Sequence, residues 1–162
     1  MDQTLRHEIL AVLQAGKDLS LATLRADGAP QATVVSYVSD GLSLYVGCAA
    51  LSQKAANLTR DPRVSLTITL PYERWDEIRG VSMFGEAERL VDPEDSLAIG
   101  RLFLKKFPEL DETFALGEVP MALFCITPLV ISLLDYRKGF GHSDLVEAGD
   151  LILVAATPSA DG

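Results

Sequence analysis

Apolar residues recur at helical spacing from Thr4 to Ala15, placing Leu5, Ile9, Val12 and Leu13 on one face, with Gly16 as a natural helix stop. From Leu19 to Arg25 the pattern changes to the alternation of a half-buried strand. Ala26-Asp27-Gly28-Ala29-Pro30 reads as a turn in which Gly28 supplies positive φ. Gln31 to Ser39 is rich in β-branched residues, Asp40-Gly41 marks a two-residue hairpin, and Leu42 to Cys48 is the return strand. A short helix opens on Ser52, runs to Thr59 and is stopped by Asp61-Pro62, because a residue before proline avoids helical geometry.

Alternation resumes over Arg63 to Leu70, and again over Arg79 to Val91 with Gly85 marking a bulge. Asp92-Pro93-Glu94-Asp95 combines an N-cap, a proline at the first helical position and acids at the dipole's positive end. That helix runs to about Lys106, and Phe107 to Gly117 admits a second short one. Met121 to Thr127 and Leu129 to Tyr136 read as two strands on either side of Pro128. A loop from Arg137 to Ser143, a short strand over Leu151 to Ala155 and a disordered tail from Thr157 to Gly162 complete the pattern. Strands joined by hairpins and short helices predict a mainly β, antiparallel barrel with peripheral helices. Residues 1–156 form its single domain. A Rossmann-type sheet would require regular strand–helix alternation and a glycine fingerprint, and the chain has neither.

Length and composition agree with this. The 162 residues are 48% hydrophobic, enough to bury one core. No window approaches the roughly 20 consecutive apolar residues of a membrane span, and Met1 to Gly16 does not resemble a secretory signal. Cys48 and Cys125 read as buried free thiols, which fits a reducing, cytoplasmic setting. The formal net charge is −9. Such a surface repels nucleic acid and anionic membranes, so an anionic small ligand must be captured by a local positive site.

Ser52-Gln53-Lys54 is the candidate for that site. A helix start presents unpaired N–H groups and a positive dipole end. Lys54 works against that dipole, so it is better explained by a phosphate than by helix stability. Arg137-Lys138 beside Gly139-Phe140-Gly141 is the compact basic patch of the chain, and reads equally as a solvated loop. His142 is a candidate proton donor or haem ligand, whereas His7 belongs on a solvated helix face. Trp75, near Tyr72, reads as a loop aromatic packed on the core, with cover for a ligand edge as its other role.

The order Leu21-Ala22-Thr23-Leu24, Asp27-Gly28-Ala29-Pro30-Gln31, Leu44-Tyr45-Val46-Gly47, Ser52-Gln53-Lys54-Ala55-Ala56-Asn57-Leu58 and Asp61-Pro62-Arg63-Val64-Ser65-Leu66 resembles the pyridoxamine 5′-phosphate oxidase-like, FMN-binding split barrels. Phe84 to Leu90 is similar to the next barrel strand of that family, and the likeness spans about Leu19 to Leu134. The resemblance implies a homodimer holding FMN at the subunit interface. It implies flavin contacts at Thr33, Val34, Val35 and Ser36, and at Gly47 and Cys48. Phosphate contacts fall on Ser52, Gln53 and Lys54, and the partner subunit would reach the flavin through its copies of Arg79 and Gly80. The likeness to the oxidase itself is incomplete. Thr33 and Gln53 stand where it has arginines and Val38 where it has a substrate-binding lysine. Tyr136 to Ser143 replaces its Arg-Leu-His segment and looks like loops of relatives that bind flavin or haem. The implied activity is therefore an FMN-dependent oxidoreductase of another substrate. A flavin carrier or sensor without turnover, and a haem-binding relative with His142 as ligand, are the alternatives.

Overall fold

The computed structural model describes residues 3–111 and 120–151. In chain order they form α1 (Gln3–Ala15), β1 (Asp18–Leu24), β2 (Pro30–Asp40), β3 (Ser43–Ala49), α2 (Gln53–Arg60), β4 (Arg63–Thr69), β5 (Arg79–Arg89), α3 (Pro93–Lys106), β6 (Met121–Asp135) and β7 (Ser143–Glu147). Neighbouring strands pair antiparallel in the order β3-β2-β1-β4-β5-β6-β7, and β3 also pairs with β6. That last pairing closes six strands into a barrel, with the helices outside. No helix among the described residues is long and apolar enough to cross a membrane.

The β2–β3 turn is centred on Gly41-Leu42, flanked by the pair Asp40 and Ser43, one residue later than the Asp40-Gly41 signal predicts. Gly41, at φ 57°, supplies the positive angle at the first turn position. The interior is filled by side chains, as a six-stranded barrel requires: Leu21, Tyr37, Leu44, Leu66, Ile68, Met83, Phe124 and Ile126 are almost wholly buried. Ile9, Val12 and Leu13 of α1 join this core. The Tyr37 hydroxyl donates to the Leu13 carbonyl at 2.7 Å and so ties α1 to the barrel. Gly16 is not a left-handed cap, since its φ is not positive. A Cβ there would run into the Tyr37 hydroxyl and lie 2.7 Å from the Ile68 Cγ2, so glycine leaves room for that contact.

Two strands were expected around Pro128, and one continuous strand is found. Residues 121–126 of β6 pair with β3, whereas residues 130–134 pair with β7 along the same edge. Opposite them, β5 pairs with residues 124–135, with a register shift at Phe84/Gly85 that leaves Leu129 as the extra residue. Pro128 has no N–H to donate, and the bulge absorbs that loss without ending the strand. Gly85 is required because a Cβ there would collide with the Thr127 carbonyl. The strand β7 was not foreseen; the sequence reading placed a loop over Arg137 to Ser143 and assigned no element between it and Leu151. The helix expected over 107–117 and the strand over 151–155 fall mostly, and the tail over 157–162 wholly, outside the described residues. Leu151 itself is helical, together with 148–150.

Candidate cofactor site

A cavity of about 990 Å³ lies on the outside of the barrel, between the β2–β3–β6 wall and α3, with the start of α2 at one end. The strand pleat decides which side chains face it. On β2, Val35 and Tyr37 point into the core, so Val34 and Ser36 point out, and Val34 is 70% exposed. On β3, Leu44, Val46 and Cys48 are buried, which turns Gly47 and Ala49 outward; Cys48 still reaches the cavity edge. A Cβ on Gly47 would lie 3.2 Å from Leu123 of β6, so glycine keeps this wall thin. Ser36 donates its hydroxyl proton to Asp18 Oδ1 at 2.8 Å, leaving its oxygen lone pairs as acceptors toward a ligand.

The anion end is built by α2. Ser52 is its N-cap, and its Oγ accepts the Ala55 N–H at 3.2 Å, while the Ser52 carbonyl accepts from Ala56 at 3.1 Å. The N–H groups of Gln53 and Lys54 remain at the open first turn. Lys54 is half-buried, and this burial pulls its ammonium below the ordinary 10.5, with Cys48 acting weakly in the opposite direction. Among the described residues no carboxylate forms an ion pair with Lys54. A desolvated cation beside unpaired N–H groups is a site prepared for an anion.

Asn57 holds this end in place. It is fully buried, donates to Thr23 Oγ1 and Gln31 Oε1 at 3.0 Å each, and accepts from Gln53 Nε2 at 2.8 Å. The Gln53 side chain is therefore turned along α2 and does not line the cavity. Thr33 does not line it either; it pairs with Leu21 on the opposite pleat from Val34.

Val34, Val35, Ser36, Gly47, Cys48, Ser52 and Lys54 thus come together at one cavity. Arg79 and Gly80 do not join them within one chain. Arg79 borders a separate hollow of about 400 Å³ with Leu70, Glu77 and Arg137. Gly80 is buried, and a Cβ on it would strike the Ile68 carbonyl, a requirement of strand packing. Nor does His142 reach the cavity: its Nε2 lies 3.0 Å from Asp144 Oδ2. The basic patch is engaged in ion pairs. Arg137 grips Asp135 at 2.6 Å and Lys138 holds Glu8 at 2.8 Å. Trp75 packs neither on the core nor on the cavity; it is 58% exposed and stacks on Phe140 with centroids 5.3 Å apart. Cys48 is buried as expected, whereas Cys125 is only half-buried; both are free.

The whole α3 wall escaped the sequence reading. Leu97, Gly100, Arg101, Phe103, Leu104 and Phe107 line the cavity, and Arg89 approaches from the end of β5. The sequence shows only an apolar-periodic helix; it is the structure that shows Ile99 as the one buried residue of α3, leaving a second apolar face without a partner on the barrel.

A closed antiparallel barrel of six strands with helices packed outside it is a split-barrel architecture. The family model for pyridoxamine 5′-phosphate oxidase matches residues 5–131, and the chain belongs to that split-barrel family. Comparison with curated proteins gives no match. Among solved structures, the conserved hypothetical protein Rv2991 from Mycobacterium tuberculosis is 29% identical with a TM-score of 0.71, covering 92% of this chain and 94% of its own. A heme binding protein from Mycobacterium smegmatis is 19% identical with a TM-score of 0.78, covering 94% of this chain and 62% of its own. A putative pyridoxamine 5′-phosphate oxidase from Listeria innocua is 22% identical with a TM-score of 0.65, covering 81% of this chain and 98% of its own. The structural relatives thus include both haem-binding and oxidase-like proteins on one fold.

Proposed function

We propose that the cavity binds FMN and that the protein is a flavin-dependent oxidoreductase working as a homodimer. The phosphate would lie at Ser52, Lys54 and the first-turn N–H groups of α2. The ring system would lie along Val34, Val35, Ser36, Gly47 and Cys48. Bound there, the flavin supplies the electron-transfer chemistry, and the chain supplies binding, orientation and electrostatics. The observation that carries this reading is Lys54: half-buried at a cavity wall, in the turn of a helix where a cation is disfavoured, with no ion pair among the described residues. The separation of Arg79 from the cavity within one chain is compatible with the shared site that the resemblance implies, in which the second copy's β5 start would approach the flavin. The haem reading relied on His142 as ligand; its Nε2 lies 3.0 Å from Asp144 Oδ2, and the ring does not line this cavity.

Titrating apoprotein with FMN and with riboflavin tests the reading. FMN should bind tighter by the contribution of one or two charge-assisted hydrogen bonds, about 1.5–3 kcal/mol each. Equal affinities would remove the phosphate site. An absorption spectrum of the purified protein with a single sharp haem band in place of flavin bands would favour the haem-binding alternative.

A further inference from the structure

We propose that the α3 wall of the cavity binds a second ligand, a flat apolar organic anion, with its ring on the notch at Gly100 and its carboxylate on Arg101 and Arg89. The proposal rests on the cofactor reading of the α2 end and deepens it by naming the class of molecule that would meet the cofactor.

Gly100 is the first reason. Glycine inside a helix costs about 1 kcal/mol relative to alanine. Most glycines in this fold are explained by a turn or by a collision that a Cβ would cause. Gly100 has neither among the described residues: its φ is not positive, and a Cβ on it would meet none of their atoms within 4 Å. The packing of the described residues does not require a glycine at this point, yet the residue faces the cavity. Leu97 lies three positions before it and Leu104 four after, so all three share one helix face. Leu97 is 63% exposed and Leu104 41%, and both line the cavity. Two leucines flanking a bare backbone form a shallow saddle that admits a ring edge-on or face-on.

Charge is the second reason. Arg89 and Arg101 border the same space, and neither makes an ion pair among the described residues. By contrast, Arg25, Arg63, Arg74 and Arg137 are each paired with an aspartate two positions away. Two guanidinium groups with no carboxylate partner among the described residues, on an apolar wall in a chain of net charge −9, favour an anion, and a planar carboxylate matches their donor geometry. Glu109 and Asp111 also border the cavity, past the end of α3, and would repel a second negative group placed there. The cofactor phosphate has its own cation on α2, so this pair is available for a different molecule.

The test uses the full chain loaded with FMN, with 1-naphthoate and the neutral 1-naphthalenemethanol as probes in calorimetric titrations. Naphthoate should bind at least about tenfold tighter than the alcohol, the contribution of a charge-assisted pair. Arg101→Gln should bring naphthoate to the level of the alcohol while leaving FMN affinity within about threefold. Gly100→Ala should raise the apoprotein melting temperature by about 2–4 °C and still weaken naphthoate. A helix-only role for this position predicts the first effect without the second. Equal binding of the two probes, or naphthoate binding unchanged in Arg101→Gln and Gly100→Leu, would overturn the proposal. So would a Gly100→Leu protein whose dimer dissociates while naphthoate binds as before, since the saddle would then be a contact between copies. Should FMN fail to bind at all, the cofactor reading falls by itself, and the same titrations on apoprotein still decide this one.

Discussion

The Asn57 side-chain amide donates to the Thr23 hydroxyl at 3.0 Å, joining the interior of α2 to β1 where both residues are buried. Because Asn57 also bonds Gln31 and Gln53, one side chain sets the distance of the α2 start from the barrel wall. Asn57→Ala removes bonds to Thr23, Gln31, Gln53 and Arg60, and leaves the buried Thr23 oxygen without the donor it accepts from. It should lower stability by about 1–3 kcal/mol in a denaturant titration. FMN affinity should fall with it, because Lys54 and the first-turn N–H groups move as one body with Asn57. An unchanged denaturation midpoint would show that water replaces the network at no cost.

Lys54→Ala should weaken FMN about tenfold or more and leave riboflavin almost unaffected. The same residue predicts a pH effect. Its ammonium titrates below the ordinary 10.5 in the free protein because burial disfavours the charge. A bound phosphate favours the charged form, so binding takes up protons as pH rises toward that lowered value. FMN affinity should therefore decline across the alkaline range, with riboflavin, which carries the same ring system, as the control. Parallel curves for the two ligands would assign the effect to the ring and not to Lys54.

Asp135 is almost wholly buried and is held by the Arg137 guanidinium at 2.6 Å and by the Arg137 N–H at 3.1 Å. The guanidinium bond, opposed by desolvation, places its carboxyl below the ordinary 3.8. A depressed folded-state pKa gives stability that is present above the unfolded value, about 3.9, and is lost as pH falls through the folded one. Asp135→Asn should be less stable than the parent at neutral pH, by about 1–3 kcal/mol for the lost charged hydrogen bonds. The difference should shrink as melting is followed down to about pH 2. A gap that persists in strong acid would mean that packing, not ionisation, accounts for it.

His142→Ala should keep FMN affinity within about threefold, since the imidazole is spent on Asp144 and does not line the cavity. A collapse of flavin binding in that variant would place the loop of the second copy against the ring.

Sedimentation velocity over a dilution series should show a homodimer that FMN strengthens. Linkage requires that dimerisation tighten FMN by the same factor. A monomer binding FMN at full affinity would confine the site to one chain.

Local chemistry explains what could be read from the sequence. The alternation of β1 to β5, the Ser52 and Asp92 caps and the Gly28 and Gly41 turns are signals carried within a few residues. The candidate anion end of α2 was legible from Ser52 and Lys54, whereas Gln53 between them turns along the helix to Asn57. What failed to show depends on residues far apart in the chain. Gly16 looked like a helix cap and is a space left for Tyr37. Pro128 looked like a strand break, and the bulge at Leu129 carries the strand past it. Arg137 and Lys138 looked like free charges, and Asp135, Glu8 and Asp144 claim them. The α3 wall was missed because an apolar helix face reads the same whether a barrel or a cavity lies under it.

One long strand, β6, closes the barrel against β3 and also carries β7. A ribosome adds residues in order, so every chain passes through a stage in which β1 to β5 exist without it. At that stage β3 and β5 each offer an unpaired edge, the arrangement that recruits strands from neighbouring chains. The protein is thus most exposed to aggregation during synthesis, in the interval before residues 121–126 emerge. Closure joins residues 44–49 to residues 121–126, a pairing distant in sequence of the kind that slows folding.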